Sequence, residues 1–133
     1  MYYFFVPFVA WIVAGGIKYL INRYHFGENA NMYIGNGGFP SNHTTVVTTT
    51  AWYIGLKEGF NSAEFGLGVA LVMIVIFDAT GLRRYVGEHA RTINKLSSDS
   101  KAYLRERIGH TKSEVVGGLV LGILLGSLMY QFL

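Results

Sequence analysis

The chain has no cysteine, so disulfides, thiolate chemistry and a cysteine-ligated zinc site play no part in its fold or function. It is also poor in charge: Asp, Glu, Lys and Arg make up 14% of its 133 residues, whereas 51% are hydrophobic. Soluble domains carry about 25% charged residues, so this balance excludes that class and points to a single domain embedded in a membrane. The N-terminal region lacks both the basic stretch and the small-residue cleavage site of a removable leader, and its apolar run is therefore expected to stay as a span. The net charge of +3 does not signal nucleic acid, because the basic residues flank apolar stretches instead of covering a polar domain. Anionic lipid is the expected partner.

Four apolar stretches are present. Residues 2–21 are broken only by Lys18, and about 20 residues rising 1.5 Å each cross a bilayer core. Residues 43–56 are threonine-rich and only moderately apolar, which a helix tolerates because hydroxyls bond back to its own carbonyls. Residues 63–80 contain a nearly pure aliphatic and aromatic core, and residues 115–133 are apolar with Gly118, Gly122 and Gly126 at every fourth position. That glycine series lets another helix approach closely, within one chain or across a dimer, and a homodimer is the expected state. Residues 22–39, with Asn-Gly and Gly-Gly pairs, read as a loop. Residues 81–112 read as a polar loop carrying short interfacial helices around Ile93, Leu96 and Leu104. The predicted fold is an all-α integral membrane bundle of about four transmembrane helices.

Four antiparallel spans bring the end of the first, the start of the second, the end of the third and the start of the fourth to one membrane face. Of the 11 Lys and Arg residues, all except Lys57 fall there: Lys18, Arg23, Arg83, Arg84, Arg91, Lys95, Lys101, Arg105, Arg107 and Lys112. By the positive-inside rule this face is cytoplasmic, with both termini outside.

The polar residues of that face group into patterns suited to phosphate chemistry. Gly-Gly-Phe-Pro-Ser-Asn-His at 37–43 places flexible glycines before Pro40 and a helix start at Ser41. Backbone N–H groups there point at an anion, with the Ser41 hydroxyl as donor, Asn42 beside it and His43 poised to give a proton. A capped helix with an interfacial histidine accounts for the same residues. His110 and Glu114 lie four apart at the start of the last helix and share a face, so the carboxylate can orient the ring and leave its second nitrogen free to attack phosphorus. A dipole-favoured glutamate beside a solvated histidine is the plainer account. Arg83 and Arg84 offer forked donors for phosphate oxygens and Lys18 a point charge, although basic residues at membrane ends also snorkel to headgroups. Asp78, an acid near the end of an aliphatic span, needs Arg83 or Arg84 as partner and orients them, or forms a helix-end ion pair. His25 and His89 have no acid at comparable spacing and read as surface residues.

Pro40-Ser41-Asn42-His43 resembles the Pro-Ser-x-His motif of the type-2 phosphatidic acid phosphatase and vanadium haloperoxidase superfamily, and His110 with Glu114 resembles its His-x-x-x-Asp motif with Glu for Asp. Asp78-Ala-Thr-Gly-Leu-Arg-Arg and Gly109-His-Thr-x-x-Glu resemble signatures of its small divergent membrane branch, so the likeness covers nearly the whole chain. It implies His110 as the nucleophile that forms a phosphohistidine, Glu114 as its orienting carboxylate and His43 as the acid for the leaving oxygen. Lys18, Ser41 and an arginine would bind phosphate, with no metal or other cofactor, and vanadate would mimic the trigonal bipyramidal phosphorus. Two family patterns are missing. Lys18 is not followed by the Lys-x6-Arg-Pro spacing, and Leu104 stands where the Ser-Arg-x5-His arginine belongs, so the arginine is Arg83 or Arg84, which end a span, or else Arg105 or Arg107.

These readings converge on a metal-independent phosphatase acting on a lipid phosphomonoester or pyrophosphate, with phosphatidylglycerophosphate, phosphatidic acid and polyprenyl types as candidates. The alternative is a non-catalytic membrane protein that uses the same cations to bind anionic lipid.

Overall fold

Most helix ends lie where elementary capping chemistry places them. The computed structural model describes residues 2–28, 38–97 and 103–133; most of the expected first loop, Gly37 and Lys101 lie outside these. Helix α1 (Val6–Phe26) admits a proline in its first turn, where a missing N–H costs nothing, and stops at Gly27 with φ 59°. It starts later and runs longer than the expected 2–21. Helix α2 (Asn42–Glu58) is capped by Ser41 and stops at Gly59 with φ 94°. Helix α3 (Ala63–Phe77) is capped by Ser62, which accepts from Phe65 N at 3.1 Å. Helix α5 (Lys112–Phe132) starts at Thr111, whose hydroxyl and the Glu114 carboxylate form a reciprocal capping box.

The region after α3 departs from expectation. Residues 78–82 form a π-helical turn that leads without a break into α4 (Arg83–Leu96), so residues 63–96 make one continuous rod. The expected polar loop with separate short helices is corrected to a helical extension up to Leu96, while Leu104 lies in non-helical chain. The strongly amphipathic α4 follows the apolar α3 because a helix already nucleated propagates at little cost.

Among the described residues every regular element is helical, and α2 is the hub: α1, α3 and α5 all pack against it, whereas α1 and α3 scarcely meet. The glycines of α5 explain its closest contact. A Cβ on Gly118 would lie 2.8 Å from the Ser41 carbonyl, one on Gly122 2.6 Å from Thr48 Cβ, and one on Gly126 3.0 Å from the Thr49 carbonyl. The glycine series is thus covered within the chain. On the α3 side, Gly68 lets Ala51 approach in the same way.

The interior is polar and small, and the exterior is greasy. Lys18, Asn22, Ser41, Thr44, Thr45, Thr48, Thr49 and His110 are buried, whereas Trp11, Ile12, Leu67, Ile74 and Phe77 are exposed. That inversion suits a lipid surround. Two of the buried threonine hydroxyls are satisfied within their own helix, Thr45 donating to Ser41 O at 2.9 Å and Thr49 to Thr45 O at 2.8 Å, whereas that of Thr48 has no partner among the described residues. Two rods, residues 63–96 and Lys112–Phe132, are long and apolar enough to cross a membrane. At the end of the bundle opposite the histidines, Val6, Tyr53 and Met129 form an apolar cluster, Tyr3 bonds Glu58, and Lys57 sits over the rings of Tyr53 and Tyr130.

Gly122→Val should therefore force α2 and α5 apart, lowering stability by about 1–3 kcal/mol as overpacking does. Thermal unfolding in detergent checks this against Gly16→Ala, where a Cβ meets nothing within 4 Å and stability is unchanged or slightly raised.

Candidate active site

The two histidine motifs meet through backbone, not only through side chains. Ser41 N donates to the Glu114 carbonyl at 3.0 Å, tying the start of α2 to the first turn of α5. The Phe39 ring covers Gly117, since a Cβ there would sit 2.2 Å from the ring edge. His110 N donates to the Ala79 carbonyl inside the π turn at 3.0 Å. Gly109 makes that docking possible: its φ is 98°, and a Cβ would press on Arg84 N at 3.0 Å and Ala79 O at 3.1 Å.

The chain leading into this junction is strapped to α4. Asn94 brackets Leu104, donating to its carbonyl at 2.7 Å and accepting from its N–H at 2.8 Å. Glu106 receives hydrogen bonds from Asn94, Tyr103 and Arg91, and the Asn94 bond above all holds its carboxyl below the usual carboxylate range. Gly87 lets the strap lie flat, because a Cβ there would meet the Glu106 carbonyl at 2.5 Å.

Within the junction one carboxylate oxygen does two tasks. Glu114 Oε2 lies 3.0 Å from His110 Nδ1 and also accepts from Thr111 N at 3.0 Å. A carboxylate acceptor selects the Nδ1–H tautomer, leaving Nε2 with its lone pair. His110 is buried, and burial holds its imidazole below the ordinary histidine value; the Glu114 bond opposes this, and the positive charges of Lys18 and Arg83 add to it. Burial thereby favours the neutral ring over the charged one.

A cavity of about 960 Å³ opens beside the ring, with Lys18, Asn22, Asn42, His43 and His110 at its polar end. Its remaining wall is apolar, from Pro7, Phe8, Trp11, Ile12 and Gly15 on α1 to Val46 and Val47 on α2 and Val75 on α3. The charges of Arg83, Lys18 and Asp78 act on His43, as does His110. Asn42 Oδ1 is buried with no hydrogen-bond partner among the described residues, an acceptor with nothing yet to accept.

The structure thus brings together Lys18, Asn42, His43, Asp78, Arg83, His110 and Glu114. Asp78 and Arg83 pair at 2.5 Å, five residues apart. In an α-helix such a pair points about 140° apart, whereas the i→i+5 geometry of a π turn brings residue i+5 much closer to lying over residue i. Arg84 lies instead on the exposed side of α4 beside Gly109, and Arg105 and Arg107 are exposed on the strap. Ser41, expected as a phosphate donor, is wholly buried, its N–H on Glu114 and its hydroxyl 2.8 Å from that of Thr44. It caps α2 and joins two helices. His25 and His89 are exposed. Sequence reasoning overlooked Thr111, Ala79 and Asn94; only Thr111 carried a local signal, the Thr-x-x-Glu of a capping box.

The chain belongs to the Divergent PAP2 family, whose model matches residues 1–125. It is 32% identical over 141 residues to the uncharacterized membrane protein YuiD of Bacillus subtilis strain 168, covering 92% of this chain and 87% of that one. No solved structure matches. The chain is therefore a membrane protein related to the type-2 phosphatidic acid phosphatases.

Imidazole ¹⁵N titration of the purified protein should give His110 a pKa below the 6.5 of a free histidine. Glu114→Gln removes the contact that raises it, so the titration should move further down; an upward shift would mean that burial is not the controlling influence.

Proposed function

We propose that the protein is a multi-pass membrane lipid phosphate phosphatase, with its histidine face cytoplasmic, and that it works through a phosphohistidine on His110. One observation carries the reading: Glu114 Oε2 holds the Nδ1 of a buried, neutral His110 on the wall of a cavity that also bears His43, Lys18 and Asn42. A ring held in that way is arranged as a nucleophile. The Nε2 lone pair forms the N–P bond while the P–O bond to the lipid breaks, and the leaving oxygen takes a proton from His43. Water then attacks the phosphohistidine, His43 takes its proton, the N–P bond breaks, and inorganic phosphate leaves with His110 restored. Lys18 and Arg83, whose charges reach both histidines, offset the negative charge that develops on the equatorial oxygens.

The membrane setting and the apolar wall favour a substrate whose phosphate headgroup enters the polar end and whose remainder is hydrocarbon. Phosphatidylglycerophosphate, phosphatidic acid and polyprenyl phosphates or pyrophosphates all have that form. A non-catalytic binder of anionic lipid would use the same cations, but it has no need for a carboxylate-held, deprotonated ring nitrogen.

The test is phosphate release by detergent-purified protein from a panel of these lipids in EDTA. Wild type should release phosphate, vanadate should inhibit, and His110→Ala should lose at least about a thousandfold, as removal of a nucleophile does. His43→Ala should lose roughly 10²- to 10⁴-fold, the range for a positioned acid. Lipid binding that survives His110→Ala, with no turnover by folded wild type, would establish the binder reading instead.

A further inference from the structure

The apolar part of the cavity has a definite depth and a definite open side. Its α1 wall runs from Lys18 at the polar end down to Pro7, eleven residues or about 16 Å at the helical rise of 1.5 Å. Half of a bilayer hydrocarbon core is about 15 Å. A lipid whose phosphate reaches Lys18 and the two histidines therefore has a wall beneath it as deep as one leaflet. The groove is also open sideways: α1 and α3 both pack on α2 without closing on each other, and the lining residues Phe8, Trp11 and Ile12 are 52%, 62% and 64% exposed.

One position on that wall has no side chain. Gly15 lies a single helical turn below Lys18, where the first carbons of a tail would pass, and a Cβ built on it meets no atom within 4 Å. Neither a φ above zero nor a packed neighbour requires glycine there. Its neighbour Gly16 is equally unobstructed but does not line the cavity.

We infer that the groove between α1 and α3 holds the hydrocarbon chain of the substrate lipid, admitted laterally from the bilayer, and that Gly15 is a specificity-determining position whose missing side chain leaves room for that chain. The inference rests on the phosphatase reading and deepens it by naming where the substrate's hydrocarbon chain is held and which position makes room for it. The basic polar end supplies the charge complementarity that directs the phosphate, and the groove is continuous with it. Gly15 touches no reacting atom, so filling it acts on tail binding and not on the chemistry at His110.

Two measurements test it, one of turnover and one independent of turnover. Hydrolysis of long-chain and short-chain alkyl phosphates is compared among wild type, Gly15→Leu and Gly16→Leu. Gly15→Leu should raise KM for the long chain by roughly 10- to 200-fold, the range for a group misfitting an apolar pocket, with kcat and short-chain hydrolysis nearly unchanged. Gly16→Leu should behave as wild type. For binding, Trp52→Phe leaves Trp11 as the sole tryptophan of two. A hexadecylphosphonate brominated in mid-chain should quench Trp11 saturably, with competition by the unbrominated compound, and Gly15→Leu should weaken that quench at least tenfold. Val47→Phe narrows the groove from the facing wall without adding a tryptophan and should act alike, which covers the case of a Gly15 variant that fails to fold. Equal long-chain binding by the Gly15, Gly16 and Val47 variants would overturn the inference. Saturable, Gly15-dependent quenching without hydrolysis by wild type would uphold the groove and overturn the phosphatase reading alone.

Discussion

The backbones of α2 and α5 touch over about two helical turns because Gly118, Gly122 and Gly126 present no side chain to Ser41, Thr45, Thr48 and Thr49. In lipid there is no hydrophobic drive to press helices together, so close van der Waals packing of small residues has to supply the association. The register it sets carries upward to the helix starts, where Ser41 N meets the Glu114 carbonyl. His43 and His110, 67 positions apart in the chain, come to the same cavity as a consequence of that seam. A bulkier residue at any of the three glycines would separate the two motifs without altering either.

The π turn is the second device. It rotates Arg83 into reach of Asp78 and leaves the Ala79 carbonyl available to the His110 N–H. Gly109, with φ at 98°, and Gly87, beneath the strap, then let the approaching chain lie against α4. Thus the nucleophile candidate is held at three points: its backbone by Ala79, its ring by Glu114, and its preceding segment by Asn94. Side chains held in this way lose little freedom when a substrate arrives, which is the general advantage of a preorganised site.

Polar burial in so small a protein is tolerable because most of it is satisfied within one turn. Thr45 and Thr49 of α2 bond back to the carbonyls four residues earlier, and Thr80 does the same to Ile76 at 2.7 Å. Lys18 sits among these groups near the Glu114 charge, and the cavity keeps it, His43 and His110 in reach of one another. The same cavity changes character within a few residues, from cations and imidazoles to Gly15, Ile12, Trp11 and Phe8. An amphiphile is the kind of molecule that matches both halves.

Local pattern alone revealed the apolar stretches, the all-α class, the capped start of α2, and the His110–Glu114 pairing, since these depend on residues within one helical turn of each other or on composition over a span. It also placed the polar residues at one end, because successive antiparallel spans leave few alternatives. Other features depend on contacts between distant segments: that α4 continues α3 through a π turn, that Arg83 and not Arg84 faces Asp78, and that Ser41 is buried against Glu114 and Thr44. A hydrogen-bond shift of one residue turns a helix face by about 100°, and nothing in Asp78-Ala-Thr-Gly-Leu-Arg-Arg announces it. The sequence by itself therefore determined which side chains gather at one end of the bundle. Only the tertiary structure decided which of them line the cavity, because that rests on the approach of α2 to α5 and on the gap left between α1 and α3.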